Sequence, residues 1–266
     1  MGRSVQSIRK SFLLFQCFLI LQIPVLDSMA IPNTEIVEFM IEDLKKVAAF
    51  RHNTLGVPGF QTQMIRLGVS SPHIKRIVND WSKVLEGYNP QQWLEICILL
   101  TQKKIFEGQI LAYELLWKNK DVLKILSQEQ IIKLGGILDN WVSVDSYSIM
   151  IAGWHWREGR LPDSQIFSWL KSQNVWLRRV AVVCTIPLNL KSKGGKGDAK
   201  RTLMICENVL DDRHDLIVKA LSWALRELSK TDRPAVEVFI KNHWERLHPR
   251  VRREVVAKLD TGRKSG

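Results

Sequence analysis

Hydrophobic and polar positions follow a helical period from Pro32 onward. Apolar residues recur three and four positions apart, as Ile36, Phe39, Met40, Leu44 and Val47 do, which places them on one helix face. No segment shows the strict alternation between turn signals that indicates a strand. The predicted helices are 33–50, one beginning near residue 72, 90–103, 106–118, 128–138, 140–156, 163–172, 174–187, 198–211, 214–229, 233–246 and 248–259.

The connections between these helices are short and contain Gly, Pro, Asn or Asp, as antiparallel helix pairs require. There is no strict sequence repeat, but the succession of helix pairs predicts degenerate HEAT-type stacking. We therefore expect an all-α fold in which HEAT-like repeats form a curved, right-handed α-solenoid with a concave face.

The amino-terminal residues differ from this pattern. An apolar run at 12–26 follows three basic residues and is interrupted by Gln16, Gln22 and Pro24. It is consistent with a secretory signal ending near Ala30, or with an extension upstream of a start at Met29. The run is too short and broken for a confident membrane span, so no membrane partner is expected. We predict an extension at 1–30, a single domain at 31–262 and a basic tail at 263–266.

Charge is distributed unevenly along the chain, which carries a net +12. Residues 171–266 hold 21 Lys and Arg against 11 Asp and Glu, whereas residues 33–170 hold 15 of each. A basic half beside a neutral half favours a polyanionic partner, usually nucleic acid. We therefore expect the concave face to be basic; a solvated basic face without a partner is the alternative.

Cysteine and histidine usage gives no indication of a metal site. The four cysteines lie in apolar helical contexts without a CxxC pair, and the six histidines are scattered. We expect buried, reduced thiols, with no metal and no organic cofactor. The cysteines are Cys17, Cys97, Cys184 and Cys206.

Candidate chemistry begins with Trp141 and Asp145, which are four residues apart and therefore share one helix face. Apolar residues follow on the other faces of this helix. A buried, unpaired aspartate is costly, so Asp145 needs a partner, a ligand or solvent. The structural alternative is that Asp145 caps a helix or forms an ion pair while Trp141 packs.

Two later helices carry cations among apolar residues. Arg178 and Arg179 are adjacent and point about 100° apart on a helix, so one of them must lie near the apolar face. A guanidinium there needs a phosphate or a carboxylate. Lys219, Trp223 and Arg226 form a second stripe, suited to gripping phosphate and packing against sugar or base. A salt bridge for Arg179 and core packing for Trp223 are the alternatives.

The segment 191–198, Lys-Ser-Lys-Gly-Gly-Lys-Gly-Asp, is predicted to be a flexible cationic loop. Such a loop can follow a phosphate backbone. It can equally be a tolerated loop extension.

Three segments together resemble one protein family. They are Trp-Val-Ser-Val-Asp at 141–145, Trp-Leu-Arg-Arg-Val-Ala at 176–181 and Lys-Ala-Leu-Ser-Trp-Ala-Leu-Arg-Glu at 219–227. Their order and spacing resemble the DNA alkylation repair enzyme family, AlkD-like DNA glycosylases built from HEAT-like repeats. The resemblance runs from about Ile36 to Leu259 and is strongest over 140–230.

The resemblance implies an intracellular enzyme that acts on damaged double-stranded DNA, although the signal-like amino terminus leaves localisation open. Nothing in the sequence suggests more than a monomer. It would hydrolyse the N-glycosidic bond of cationic N3- or N7-alkylated purines without moving the base into a pocket. Asp145 would be the catalytic carboxylate, with Trp141 and Trp223 lining the cleft. The residues expected to contact the DNA backbone are Arg179 and Arg226, joined by Lys219 and Arg178.

The sequence departs from the family pattern at three places. Residues 50–60 lack the expected aromatic-rich turn, residues 191–197 lengthen a loop, and Leu216 and Ile217 stand where aromatic residues are expected. A hypothesis from another class therefore stays open: a non-catalytic helical-repeat protein that binds DNA or a protein. Such a protein would use Arg179 and Trp223 but would have no need of Asp145 beside Trp141.

Overall fold

The computed structural model describes residues 31–49 and 61–263, and these residues are helical throughout apart from turns and one isolated parallel bridge between Ile65 and Ile105. The predicted all-α class is confirmed. The helices are α1 (Asn33–Ala49), α2 (Ser71–Leu85), α3 (Pro90–Gln102), α4 (Phe106–Lys118), α5 (Lys120–Lys124), α6 (Gln128–Leu134), α7 (Trp141–Tyr147), α8 (Gly153–Arg157), α9 (Asp163–Leu170), α10 (Val175–Val183), α11 (Ile186–Asn189), α12 (Ala199–Glu207), α13 (Asp215–Leu228), α14 (Arg233–Asn242) and α15 (Pro249–Thr261).

Helices from successive pairs pack in two layers within the unit Asn33–Gly266. In the first layer α2, α4, α7, α10, α13 and α15 lie side by side in chain order. The second layer contains one helix from each pair, and each packs against the first-layer helix next to it in the chain. These helices are α1, α3, α9, α12 and α14. This order of packing is that of an α-solenoid, as predicted. The curvature, its hand and the basic concave face stay predictions, as do the domain bounds and the segment 1–30, which lies outside the described residues.

Local signals in the sequence explain where several helices begin. Ser70 precedes α2, and a proline occupies the first turn, where its missing N–H costs nothing. The helical spacing places Ile74, Ile77, Val78 and Trp81 on one face of α2, and all four are buried. In α1 the prediction was wrong for Phe39, which is 37% exposed. The buried face of α1 is formed by Ile36, Val37, Met40, Ile41 and Leu44.

Two helices predicted as continuous are interrupted. The segment 140–156 consists of α7, a π-helical turn at Ser148–Ala152, and α8. The segment 174–187 ends as α10 at Val183, and α11 restarts with Pro187 in its first turn. The proline cannot donate a backbone hydrogen bond, so the helix cannot run through it unbroken.

The interruptions meet at Gly153. A Cβ atom placed there would lie 2.6 Å from the Pro187 side chain, 2.6 Å from the Ser148 carbonyl oxygen and 2.8 Å from the Cys184 carbonyl oxygen. Two of these neighbours are backbone atoms, which cannot move aside cheaply. The π-helical turn and the break before Pro187 therefore pack together because residue 153 has no side chain.

We expect Gly153→Ala to lower the free energy of unfolding by about 1–3 kcal/mol, the usual cost of overpacking a well-filled interior. The control is Gly108→Ala in α4, where the nearest atom would be 3.5 Å from the added Cβ. That substitution should stabilise the protein by about 0.5–1 kcal/mol, because glycine is unfavourable within a helix. Chemical denaturation measures both, and equal stability of the two variants would contradict the packing argument.

Three of the four cysteines are described, and Cys97, Cys184 and Cys206 are buried free thiols, as predicted. Burial raises the pKa of each thiol well above its ordinary value. The fourth, Cys17, lies outside the described residues. Among the described residues, no helix is long and apolar enough to cross a membrane.

Candidate active site

The start of α7 is held by buried polar contacts. The side chain of Asn140 is fully buried and accepts a hydrogen bond from the Ser143 amide at 2.9 Å, which caps the helix. Asp139 accepts hydrogen bonds from Thr62 Oγ1 at 2.7 Å and from the Gln63 amide at 2.6 Å. These contacts fix the position of the turn that carries Trp141 and Asp145.

Asp145 and Arg179 form a two-point ion pair between α7 and α10. Arg179 Nε donates to Asp145 Oδ1 at 2.9 Å, and Nη2 donates to Oδ2 at 2.8 Å. Arg179 Nη1 donates to the Leu216 carbonyl oxygen in the first turn of α13, at 2.6 Å. One guanidinium therefore joins three neighbouring helices of the first layer around the carboxylate.

The pair is largely shielded from solvent, since the side chains of Arg179 and Asp145 are 7% and 15% exposed. Burial raises the pKa of Asp145 above its ordinary value, and the hydrogen bonds and charge of Arg179 oppose that rise. The sequence required an anion for Arg179 and allowed a phosphate or a carboxylate. The structure supplies a carboxylate, and it is the one predicted to be catalytic.

Arg178 points to different partners. Its Nε donates to Asp212 at 2.8 Å, and its Nη1 donates to the carbonyl oxygens of Ser172 and Gln173 at 3.1 and 3.0 Å. These contacts tie the turn between α9 and α10 to the connection before α13. The two adjacent arginines thus lie on different sides of α10, as their 100° separation predicts.

The two tryptophans of the predicted cleft lie on helices that flank α10. Trp141 is 43% exposed and lies one turn before Asp145 on α7. Trp223 is half-buried on α13, two turns after Leu216. Both indoles therefore keep part of their surface in solvent.

The basic residues of α13 lie in ion pairs that differ in distance and burial. Lys219 is exposed and lies 2.6 Å from Asp215, one turn earlier. Arg226 is more enclosed: Nε donates to Ser222 Oγ at 3.2 Å, and Nη2 lies 3.8 Å from Glu254 on α15. Burial lowers the pKa of Arg226, and the nearby carboxylates oppose this.

Some features of the site have no signal in the sequence. Leu216 contributes its backbone carbonyl, which depends on where α13 begins and not on its side chain. Ile217 is fully buried in the core. Within the described part of the chain, no group of three His, Cys, Asp or Glu side chains is placed to hold a metal ion.

Comparisons with known proteins agree with the resemblance. The sequence model of one family, described as DNA alkylation repair enzyme, matches residues 42–259. A solved structure described as a predicted DNA alkylation repair enzyme from Enterococcus faecalis superposes with a TM-score of 0.58. The two chains are 19% identical over 89% of this chain and 100% of the other, so this likeness concerns the fold. No curated protein sequence matches the chain.

Proposed function

Because the chain belongs to the DNA alkylation repair enzyme family, we propose that it is a DNA glycosylase acting on cationic N3- or N7-alkylated purines in duplex DNA. The observation that carries this proposal is the carboxylate of Asp145, held at both oxygens by Arg179 one turn below the exposed Trp141. An oriented carboxylate beside an aromatic surface is the minimum that the reaction requires.

The chemistry of the lesion explains why a sparse site is sufficient. An alkylated purine that already carries a positive charge leaves without protonation, so no general acid is needed. Positive charge then develops on the deoxyribose as the glycosidic bond breaks. Asp145 would stabilise that charge and orient the attacking water. The faces of Trp141 and Trp223 would add attraction for the cation.

Arg179 would act on the reaction through Asp145. Its two-point contact fixes both carboxylate oxygens, and its charge opposes the rise in the pKa of Asp145 that burial causes. The contacts with Asp145 and Leu216 use three of the five N–H donors of a guanidinium. The other two would serve the phosphate contact that the family resemblance implies.

The remaining cations would hold the duplex in place. Lys219 and Arg226 flank Trp223 on α13 and would contact backbone phosphates, which position DNA without reading its sequence. Arg178 is the weakest of the predicted contacts, because its guanidinium is engaged by Asp212 and two carbonyl oxygens. The damaged base would stay outside a protein pocket, unlike in enzymes that flip their target.

One observation favours the non-catalytic hypothesis. Asp145 and Arg179 satisfy each other, as a purely structural ion pair between helices would. A helical-repeat protein that only binds DNA could contain the same pair. The two hypotheses differ in turnover and not in binding.

The direct test is the release of free 7-methylguanine and 3-methyladenine from methylated duplex DNA, separated from the polymer and quantified by chromatography. We expect wild-type protein to release both bases well above the spontaneous rate. Binding to undamaged duplex, measured in parallel, shows that the protein is folded and engages DNA. Salt-sensitive binding without base release would reject the glycosylase and leave the non-catalytic binder.

A further inference from the structure

A second group of cations surrounds Trp117 at the end of α4 and shares no residue with the proposed active site. The ammonium of Lys120, at the start of α5, lies 2.9 Å from the Trp117 ring centroid and donates to the Trp117 carbonyl oxygen at 2.6 Å. The ammonium of Lys193 lies 4.4 Å from the same centroid. One indole thus holds two cations that are 73 positions apart in the sequence.

The segment that carries Lys193, for which composition predicts a flexible cationic loop, is tied to α8 in the structure. It begins with a 3-10 turn at Lys191–Lys193, and Arg157 Nη1 donates to the Lys193 carbonyl oxygen at 2.7 Å. Gly194 has a φ of 84°, and a Cβ on Gly195 would lie 2.7 Å from the Leu190 amide nitrogen. The glycines therefore allow the segment to turn tightly, and this turn places Lys193 beside the Trp117 ring.

The cluster has an excess of positive charge. Burial and the charges of Lys193 and Arg157 lower the pKa of Lys120 to about 7. Burial and the charge of Lys75 also lower the pKa of Lys193, which Glu114 opposes. No carboxylate of the described residues forms an ion pair with Lys120 or Lys193. Like charges that outnumber their counter-charges are costly to gather, and a bound anion would relieve that cost.

A groove opens beside Trp117. It lies between α2 and α4 and encloses about 450 Å³. Trp117 is part of its wall, so the two ammonium groups lie against one of the lining side chains. A volume of this size accommodates a phosphate with part of its sugar. The lining residues are Lys75, Val78, Asn79, Glu114, Trp117 and Lys118.

We propose that Lys120, Lys193 and Trp117 form a phosphate-binding site for the DNA backbone, on the duplex that the active site engages. Helix α4 packs directly against α7, which carries Asp145. Adjacent helices lie about 8–10 Å apart, a length over which duplex DNA presents about five phosphate charges, so a duplex lying across α4 and α7 would present phosphates to both. The inference rests on the proposed function only in that the protein binds duplex DNA; it does not depend on glycosylase activity.

The test is the salt dependence of binding to an undamaged duplex, for wild type, Lys120→Gln and Lys193→Gln. Losing one phosphate contact should reduce the slope of log K against log salt concentration by about 0.9, so each variant should show a shallower slope. The matched control is Lys191→Gln, an exposed lysine on the same 3-10 turn, whose slope should stay that of wild type. Thermal denaturation checks that all variants are folded.

Unchanged slopes in both Lys120→Gln and Lys193→Gln would overturn the proposal. A second result would also overturn it: inorganic phosphate raises the melting temperature of wild type but not of the two lysine variants, while all three proteins show the same salt slope with DNA. The site would then bind a small anion and not the DNA backbone. Base release by wild type distinguishes failure of this proposal from failure of the proposed function. If wild type releases bases but the salt slopes are unchanged, only the phosphate-binding site is rejected. If the variants show shallower slopes but wild type releases no bases, only the glycosylase activity is rejected.

Discussion

Asp145→Asn should reduce the release of alkylated bases by about 10²–10³-fold, the usual effect of removing one preorganised electrostatic group from an active site. Asparagine keeps the size of the side chain and one acceptor oxygen for Arg179. It removes the negative charge that would stabilise the developing sugar cation. Binding to undamaged duplex should stay close to wild type, because backbone contacts come from other residues. Single-turnover release from methylated duplex measures the effect.

The same substitution also has a structural cost that must be separated from catalysis. Breaking a buried ion pair costs up to roughly 3–5 kcal/mol, because the remaining charge is left without its partner. The matched control is Asp212→Asn, which breaks the pair with Arg178 on the same helix. Asp212 is 18% exposed, close to the 15% of Asp145, whereas Arg178 at 22% is more exposed than Arg179 at 7%.

Asp212→Asn should therefore lower the melting temperature without a comparable loss of base release. If both variants lose activity in proportion to stability, Asp145 is a structural residue. If Asp145→Asn releases bases at the wild-type rate, the proposed catalytic role is wrong.

The sequence predicted the fold well because its signals are local. Helical periodicity and a proline after Ser70 and Ser71 each act within a few residues, and the structure confirms the helices that they predict. The π-helical turn after α7 was missed because it leaves the apolar spacing nearly unchanged. Its position depends on the contact of Gly153 with Cys184 and Pro187, which lie more than thirty residues later in the chain.

The pairing within the candidate site could not be predicted from the sequence. Spacing indicates that Asp145 needs a partner, a ligand or solvent and that one of Arg178 and Arg179 needs an anion, yet Asp145 and Arg179 lie on separate helices and no local rule pairs them. The cluster at Trp117 could not be predicted from the sequence at all. Lys120 and Lys193 are ordinary lysines in the sequence, and only the fold of 191–197 brings them to one ring.

Arg179→Gln should move the acid limb of the activity profile to higher pH. Burial raises the pKa of Asp145, and Arg179 is the group that opposes this rise. Without the guanidinium, the pKa rises further, so the active carboxylate is lost at a higher pH as the solution is acidified. The variant should therefore lose most activity in acid and least in alkali. Single-turnover base release across a pH series measures the shift, and an unchanged profile would contradict it.

The double variant Asp145→Asn with Arg179→Gln separates the structural role of the pair from the catalytic one. Each single variant leaves one buried group without its charged partner, whereas the double variant leaves two neutral amides that can hydrogen-bond to each other. We expect the double variant to be more stable than the sum of the single losses predicts, by about 0.5–3 kcal/mol of coupling. Base release should nevertheless stay at the level of Asp145→Asn, because stability returns without the carboxylate. Recovery of both properties together would mean that the ion pair only holds α7 and α10 in place, and that the reacting carboxylate lies elsewhere.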